Sequence, residues 1–495
     1  MSGSINIVVP GYPAGNLVPG FYAGFDASNA NTAVINQQTL IIGQVKSGAS
    51  IALNTPVVLT SVALGQASTG SAGSMLARMI ARYRQGDIYG TTYLGAVADG
   101  SGATASTNVA TITGTATAAG TLSIYVAGQL ASVGVNLGDT ASVVATNAAA
   151  AINALPSCPA TATAASGVLT ITAVNLGLAS GDIDVRLNYL GAAANQSVPA
   201  GITVGAFTFT PGTVNPTLTT LFANLGSMNF DFIVFPYTDA TSLNALTAFL
   251  GQQGGRWSIT QQLYGVGFTA FRGTLAARTT FSLTRDDQFI TGLGFYGSPT
   301  PAFEVAADYA SACAVSLRSN PAIPLQTLAL TMLAPPSAYV DTPSEAQTSL
   351  ADGLSDIYVD NGGTVRIVRA VTFYTTNAQG FPDNSWRDVE TPFTLMACIR
   401  GMLQKLSSLF QRKILVADGT VVPGGSPMTT GQNILAAANA IYVTQCQAGL
   451  AQNPTAFITN SAEQNQGNGT VALLLPYMIA DQLRVVAIDV AFSKP

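Results

Sequence analysis

The sequence predicts a mixed α/β protein that turns to α+β toward its C-terminus, and three observations carry this. Asp231–Tyr237 (DFIVFPY) is a near-continuous apolar run, as expected of a strand buried on both faces. After it, Leu243, Leu246 and Leu250 recur at helical spacing from Asp239, followed by strand-like runs at Gly265–Phe271 and Phe289–Tyr296 and a helical stretch at Pro301–Arg318. That alternation is the pattern of a sheet with helices packed on it. Beyond residue 340 the alternation stops: one long strand precedes two long helices and a final apolar strand.

Taken in order, residues 1–38 read as an arm. Ile5, Ile7 and Val9 alternate with polar or smaller neighbours, and the prolines and glycines after them prevent a helix. Thr39–Val45, Pro56–Ala63 and Thr91–Val97 read as strands. Ser74–Gln85 reads as a helix with Met75, Met79 and Tyr83 on one stripe and Arg78 with Arg82 on another. These elements, residues 39–97, open the core domain.

The texture changes near Ala98. From there to Gly205 the chain is rich in Ala, Thr, Gly and Val, and Arg186 is its only basic residue. Strand-like runs occur at Asn108–Thr113, Thr121–Val126, Val168–Val174 and Ile183–Leu190. One helix, with Asp139 as its expected cap, carries Val143, Val144, Ile152 and Leu155. Residues 98–205 therefore read as a mostly β domain inserted into the first, which resumes over 206–340.

A third region spans 341–480. Thr342-Pro343-Ser344-Glu345 fits a capping box with proline at the first helical position. A strand is expected at Val365–Tyr374 after the Asn361-Gly362-Gly363 turn, then helices at Thr391–Arg412 and Thr430–Gln452. Residues 481–495 form a closing strand or arm, in which Val486, Ile488, Val490 and Phe492 share one face.

Composition excludes several functions. The 495-residue chain has no histidine, so Ser-His-Asp triads, Cys-His dyads and histidine-ligated metals are ruled out. A net charge of −5 and a pI near 4.7 argue against a basic nucleic-acid groove. Cys158, Cys313, Cys398 and Cys446 lie at least 48 residues apart, which offers no CxxC pair and suggests free thiols in a reducing compartment. Mean hydropathy is +0.36, yet the longest apolar runs, Ala141–Leu155 and Val471–Ala480, fall short of the roughly 18 residues of a spanning helix. The opening residues lack the basic and apolar regions of a signal peptide. Only 9% of residues are charged, against roughly 25% in ordinary soluble proteins. So little charge suits a subunit whose surface is covered by neighbours in a large assembly.

Chemical motifs are sparse. Gly292-Leu-Gly294-Phe-Tyr-Gly297 matches GxGxxG between a predicted strand and helix, but Pro299 and Pro301 intervene and no acid ends a second strand about 20 residues on. No Walker A or GxSxG motif occurs, so no cofactor is expected. Asp182/Asp184 and Asp286/Asp287 are carboxylate pairs better explained as loop caps than as calcium ligands or an acid–base pair.

Several long stretches resemble the tail sheath proteins of contractile bacteriophages, in their Mu-like branch. They are RWSITQQLYGVGFTAFRGTLAA (Arg256–Ala277), the segment Tyr296–Leu328, LAPP at Leu333–Pro336, GGTVRIVRAVTFYTTNAQGFPDNSWRDVETPFTL (Gly362–Leu395) and DQLRVVAIDVAF (Asp481–Phe492). Nearer the start, FYAGFDASNANT (Phe21–Thr32), TLIIGQ (Thr39–Gln44) and GSMLARMI (Gly73–Ile80) also look like this family. Relatives more often carry bulkier residues at Gly292 and Gly294.

The resemblance implies a subtilisin-like α/β core, in shape only, with a variable outer domain inserted and extended terminal arms. It implies a virion component assembled in the host cytoplasm, without enzymatic activity, cofactor, nucleic acid or membrane insertion. Its partners would be copies of itself in stacked hexameric rings, the tail tube protein, and baseplate and tail terminator proteins. Ile5, Ile7, Val9, Val486, Ile488, Val490 and Phe492 are then expected to exchange strands between subunits; the alternative is pairing within the subunit's own sheet. Between Thr391 and Ala417 lie Arg400, Lys405, Arg412 and Lys413 with no acid. Ile399, Leu403, Leu406 and Phe410 are expected to form the buried stripe of that helix, and Lys405 with Arg412 to face the tube. The competing readings are a nucleotide-binding α/β enzyme using residues 292–297, or another virion protein such as a capsid or tube subunit.

Overall fold

A computed structural model of the chain describes residues 37–491. Ile5, Ile7, Val9 and Phe492, expected in exchanging strands, lie outside the described residues. The described chain opens with β1 (Thr39–Gln44), β2 (Pro56–Val58), α1 (Val62–Ser68), α2 (Met75–Gly86) and β3 (Thr92–Val97). Pro56–Ala63 is thus not one strand: Ser61 caps a helix that begins at Val62, its hydroxyl accepting from Leu64 N–H. Ser74 caps α2 in the same way, with Met75, Met79 and Tyr83 buried.

Next come β4 (Thr107–Gly114), β5 (Gly120–Val126), β6 (Gln129–Val135), α3 (Ala141–Asn153), β7 (Ala160–Ala165), β8 (Val168–Ala173), β9 (Val185–Leu187), β10 (Ile202–Val204) and β11 (Thr208–Thr210). They form two antiparallel sheets closed by α3 around a separate core that includes Leu122, Ile124, Val133, Val144, Ile152, Leu169 and Ile171. Thr140, not Asp139, stands at the start of α3; Asp139 instead accepts from Asn136 N–H at 2.7 Å, tightening the turn before the helix. β11 pairs with β4, so this body continues past Gly205.

The chain then returns through α4 (Thr219–Asn224), β12 (Phe232–Val234), α5 (Ala240–Leu250), β13 (Val266–Arg272), α6 (Leu275–Ser282), β14 (Ile290–Phe295) and α7 (Ala302–Ser319). The main sheet has the order β14-β13-β12-β1-β3-β2, parallel except for the β2–β3 pair. Every residue of β1, β12 and β14 is buried, which is why these segments are apolar without alternation. α2 and α7 pack together against this sheet, and the core runs from Leu40 to Met396.

The last region contains β15 (Ala329–Leu330), α8 (Pro343–Ala351), β16 (Asp356–Val359), β17 (Val365–Arg369), α9 (Glu390–Phe410), β18 (Ile414–Leu415), β19 (Met428–Thr429), α10 (Gly431–Gln447), α11 (Pro454–Asn460), β20 (Ala462–Gly467) and β21 (Thr470–Leu474). The capping box forms, with Thr342 and Glu345 bonding reciprocally. β17 stops at Arg369, shorter than Val365–Tyr374, and the chain goes on only as isolated bridges at Val371 and Thr372. Met402, Tyr442 and Phe457 centre a third, small core, with Tyr442 stacked on Phe457. The apolar stripe of α9 is displaced from expectation: Phe393, Met396, Cys398 and Met402 are buried, whereas Leu403 is 42% exposed. Of the expected stripe, Ile399 and Leu406 are partly buried, against the main and the third core, and the helix surface at 407–409 is exposed.

Candidate functional site: the strand-end crevice and the C-terminal arm

In open α/β sheets, ligands bind outside the carboxyl ends of the strands, where helix N-termini offer free N–H groups. Here side chains from the 98–205 segment bond to that edge, beside a cavity of about 340 Å³ lined by Asp182, Thr238, Asp239, Arg272 and Ala302. Asn175 Oδ1 accepts from Met75 N–H at 2.9 Å, at the start of α2, and its amide donates to Val45 O and Asp99 Oδ1. Gln44, the last residue of β1, donates to Asp99 Oδ1 at 2.7 Å and to Leu176 O at 2.6 Å. Asp182 Oδ2 accepts from Ala302 N–H at 2.7 Å, at the start of α7, while Arg272, which ends β13, lies 3.2 Å from Asp182 and 3.3 Å from Asp184. Arg186 ties Asp184 to Gly297 O. Asp182 and Asp184 thus act as a helix cap and as ion-pair partners across two bodies. Asp286 accepts from Thr375 and Thr376 N–H, and Asp287 pairs with Arg285.

The GxGxxG glycines serve packing. Gly292 and Gly294 lie within β14, and a Cβ on them would stand 2.5 Å from the Phe373 ring and 2.6 Å from Leu354. Bare glycine lets the 353–356 segment lie along the strand, with Gly294 N–H donating to Ser355 O and Ser355 N–H to Gly292 O. The turn residue Gly297 adopts φ +73° beneath Tyr339. Among the described residues, no cluster of three acidic or thiol groups is arranged to hold a metal ion, and no helix is long and apolar enough to cross a membrane. All four cysteines are free, and burial pushes each thiol above its ordinary pKa.

Among the described residues, 481–491 form no strand. Leu483, Val485, Val486, Ile488 and Val490 are 71%, 80%, 67%, 78% and 75% exposed. Beyond Arg484, no residue up to Ala491 makes a hydrogen bond among the described residues. β20 and β21 form a sheet of two antiparallel strands among the described residues, turned at Asn468-Gly469. Lys405, in the last turns of α9, and Arg412, in the turn after it, are both exposed and make no ion pair among the described residues. Arg400 does not join them; it points inward to Asp231.

Sequence reasoning missed the capping role of Asn175 and the β20–β21 hairpin. Asn468-Gly469 was the available signal for the hairpin, but its first strand, AEQNQG, carries no apolar alternation. It also missed the partners of Arg484, which are about a hundred residues distant.

A strand-end crevice bridged by a second body and a long, exposed apolar arm suit a structural, self-associating protein. The sequence agrees. Residues 212–373 match the family described as "Phage tail sheath protein central domain". Over 469 residues the chain is 32% identical to the Mu-like prophage FluMu tail sheath protein of Haemophilus influenzae, covering 90% of this chain and 94% of that one. The chain belongs to the Mu-like tail sheath proteins: it is a structural subunit of a contractile tail sheath and a component of the virion. Solved structures similar to it include the sheath tail protein of Desulfitobacterium hafniense, at 11% identity and TM-score 0.48 over 94% of this chain and 97% of that one. The sheath tail protein of Listeria innocua gives 13% and 0.49 over 90% and 92%. The contracted helical sheath of the anti-feeding prophage gives 12% and 0.44 over 97% and 100%.

Proposed function

We propose that the subunits polymerise as stacked hexameric rings around a tail tube, in the host cytoplasm, and that neighbours are joined by strand exchange through their terminal segments. Residues 39–97 and 206–340 make the core domain, 98–205 the outer insertion, 341–480 the inner domain, and 1–38 with 481–495 the arms. Baseplate and tail terminator proteins are the partners at the two ends, and contraction drives the tube through the host envelope. The observation that carries strand exchange is the exposed apolar row of Val486, Ile488 and Val490, which no strand among the described residues covers. A row of this kind, with its main chain unpaired, fits β-augmentation, in which backbone hydrogen bonds join chains and alternate side chains set register. The β20–β21 hairpin, with open edges and too few strands for independent stability, offers a place for such a strand.

The test is truncation after Arg484. Removing residues 485–495 spares the contacts of Arg484 and should leave a folded, soluble subunit that forms no striated tubes in negative stain. Tubes of normal length from the truncated protein would defeat this reading.

A further inference from the structure

Arg484 interrupts the exposed arm. Its side chain is 13% exposed, between Leu483 at 71% and Val485 at 80%. Nη2 donates to Glu390 Oε1 at 2.8 Å and to Asp388 Oδ1 at 3.2 Å. Glu390, the first residue of α9, is fully buried, and the same oxygen accepts from Leu325 N–H. Asp388 is held in turn by both nitrogens of a fork from Arg369, the last residue of β17, at 2.8 and 2.9 Å. Four segments distant in sequence therefore meet at one guanidinium: the loop before β15, the end of β17, the start of α9 and the root of the arm.

We propose that Arg484 is a tether that fixes the point where the C-terminal arm leaves the body, so that load applied to the arm passes into α9 and β17. This builds on the strand-exchange reading, because only a pulled arm carries load. The physical case is the pairing of charges. Arg484 is the only cation within ion-pairing distance of Glu390 among the described residues. Freeing the arm root would strand a carboxylate away from water, and burial already opposes its ionisation. A frayed tail needs no such contact, whereas an arm that must hold while its outer part pairs elsewhere does. The strand-forming residues begin immediately after the tether, so only the outer arm is free to exchange.

Trypsin tests the tether directly, since cleavage at Arg484–Val485 requires the arginine to swing out of its site. In the soluble full-length subunit this bond should be cut at least tenfold more slowly than bonds after the exposed Arg412 and Lys413. The variant D388N/E390Q, which keeps the arginine but removes its partners' charge, should be cut at least tenfold faster there, with the other bonds as internal controls. Equal cleavage in wild type and variant overturns the tether. The mechanical role is read in assembled sheaths. Because Arg484→Gln alone strands Glu390, the comparison is R484Q/E390Q, which should assemble but release subunits at least tenfold faster in dilute guanidinium. Release at the wild-type rate overturns load transfer. Normal tubes from the residue 485–495 truncation would instead defeat strand exchange, leaving the trypsin result to decide the tether alone.

Discussion

Arg400 Nη1 lies 2.5 Å from Oδ1 of Asp231, a fully buried carboxylate at the foot of β12. The guanidinium also donates to Leu263 O at 3.0 Å and lies over the Tyr264 ring. This pair fastens α9 to the main sheet. Burial pushes the Asp231 carboxyl up, and Arg400 opposes that shift. Replacing Arg400 by glutamine should cost about 3–5 kcal/mol, because it leaves a buried charge unpaired. The double variant R400Q/D231N should recover much of the loss. Urea midpoints at neutral pH measure both, and a single variant as stable as wild type counts against the pair.

Excision of residues 98–205 tests the bonds made across the crevice. A peripheral insertion would be removable with little consequence. Here removal takes away the side chains that satisfy Met75 and Ala302 N–H and separates Arg272 from both aspartates. Loss of these two hydrogen bonds at about 1 kcal/mol each gives an expected destabilisation of about 2 kcal/mol. Chemical denaturation of the bridged, excised protein measures it. Undiminished stability would mean that these contacts contribute nothing.

Acid should stabilise the α7 region before it damages the fold. Burial raises Asp308 from the model-compound value of 3.8 to about 6, against three hydrogen bonds from Thr331 and Met332. Between those two values the folded state holds a proton that the unfolded chain has lost. Stability contributed by this group therefore falls as pH rises from about 4 to about 6, by about 3 kcal/mol for a shift of this size. Asp356, also raised by burial, has the same sign. Asp87, lowered by Arg318 and Tyr83 hydrogen bonds that outweigh its burial, has the opposite sign, and its contribution is lost only below the ordinary carboxylate range. Urea midpoints measured from pH 4 to 7 should fall across the upper window, with a smaller slope in Asp308→Asn. A slope that is unchanged in the variant removes Asp308 as the cause.

Charge reversal at Lys405 and Arg412 tests the tube-facing role. Both are exposed near Leu409, itself 52% exposed, so the end of α9 presents charge together with apolar surface. Exposed ion pairs contribute about 0.2–1 kcal/mol each, and repetition along a tail multiplies the effect through avidity. Lys405→Glu with Arg412→Glu should lower decoration of purified tubes in co-sedimentation at physiological salt while tube-free polymerisation continues. Decoration equal to wild type would place the contact elsewhere.

Strands and helices that bury a continuous face were legible in the sequence. DFIVFPY carries an unbroken apolar run, and the α2 stripe and the α7 stretch carry a helical period that survives whatever packs on it. Elements set by neighbours were not legible. Pro56–Ala63 breaks into a strand and a helix, and the fully buried stripe of α9 ends at Met402, with only Leu406 partly covered beyond it by the small third core.

The amino-acid sequence by itself determined the class. The absence of histidine removes imidazole chemistry, the low charge suits a covered surface, and long ordered stretches carry the family likeness. Only the tertiary structure decided what individual charges do. Arg400, counted with a basic stretch, is drawn inward by Asp231 from 169 residues away. Arg484, placed in an apolar strand, is held by Glu390 from 94 residues away. The physical reason is that an ion pair's worth depends on its burial and on its partner's position, and neither is encoded within a local window of sequence.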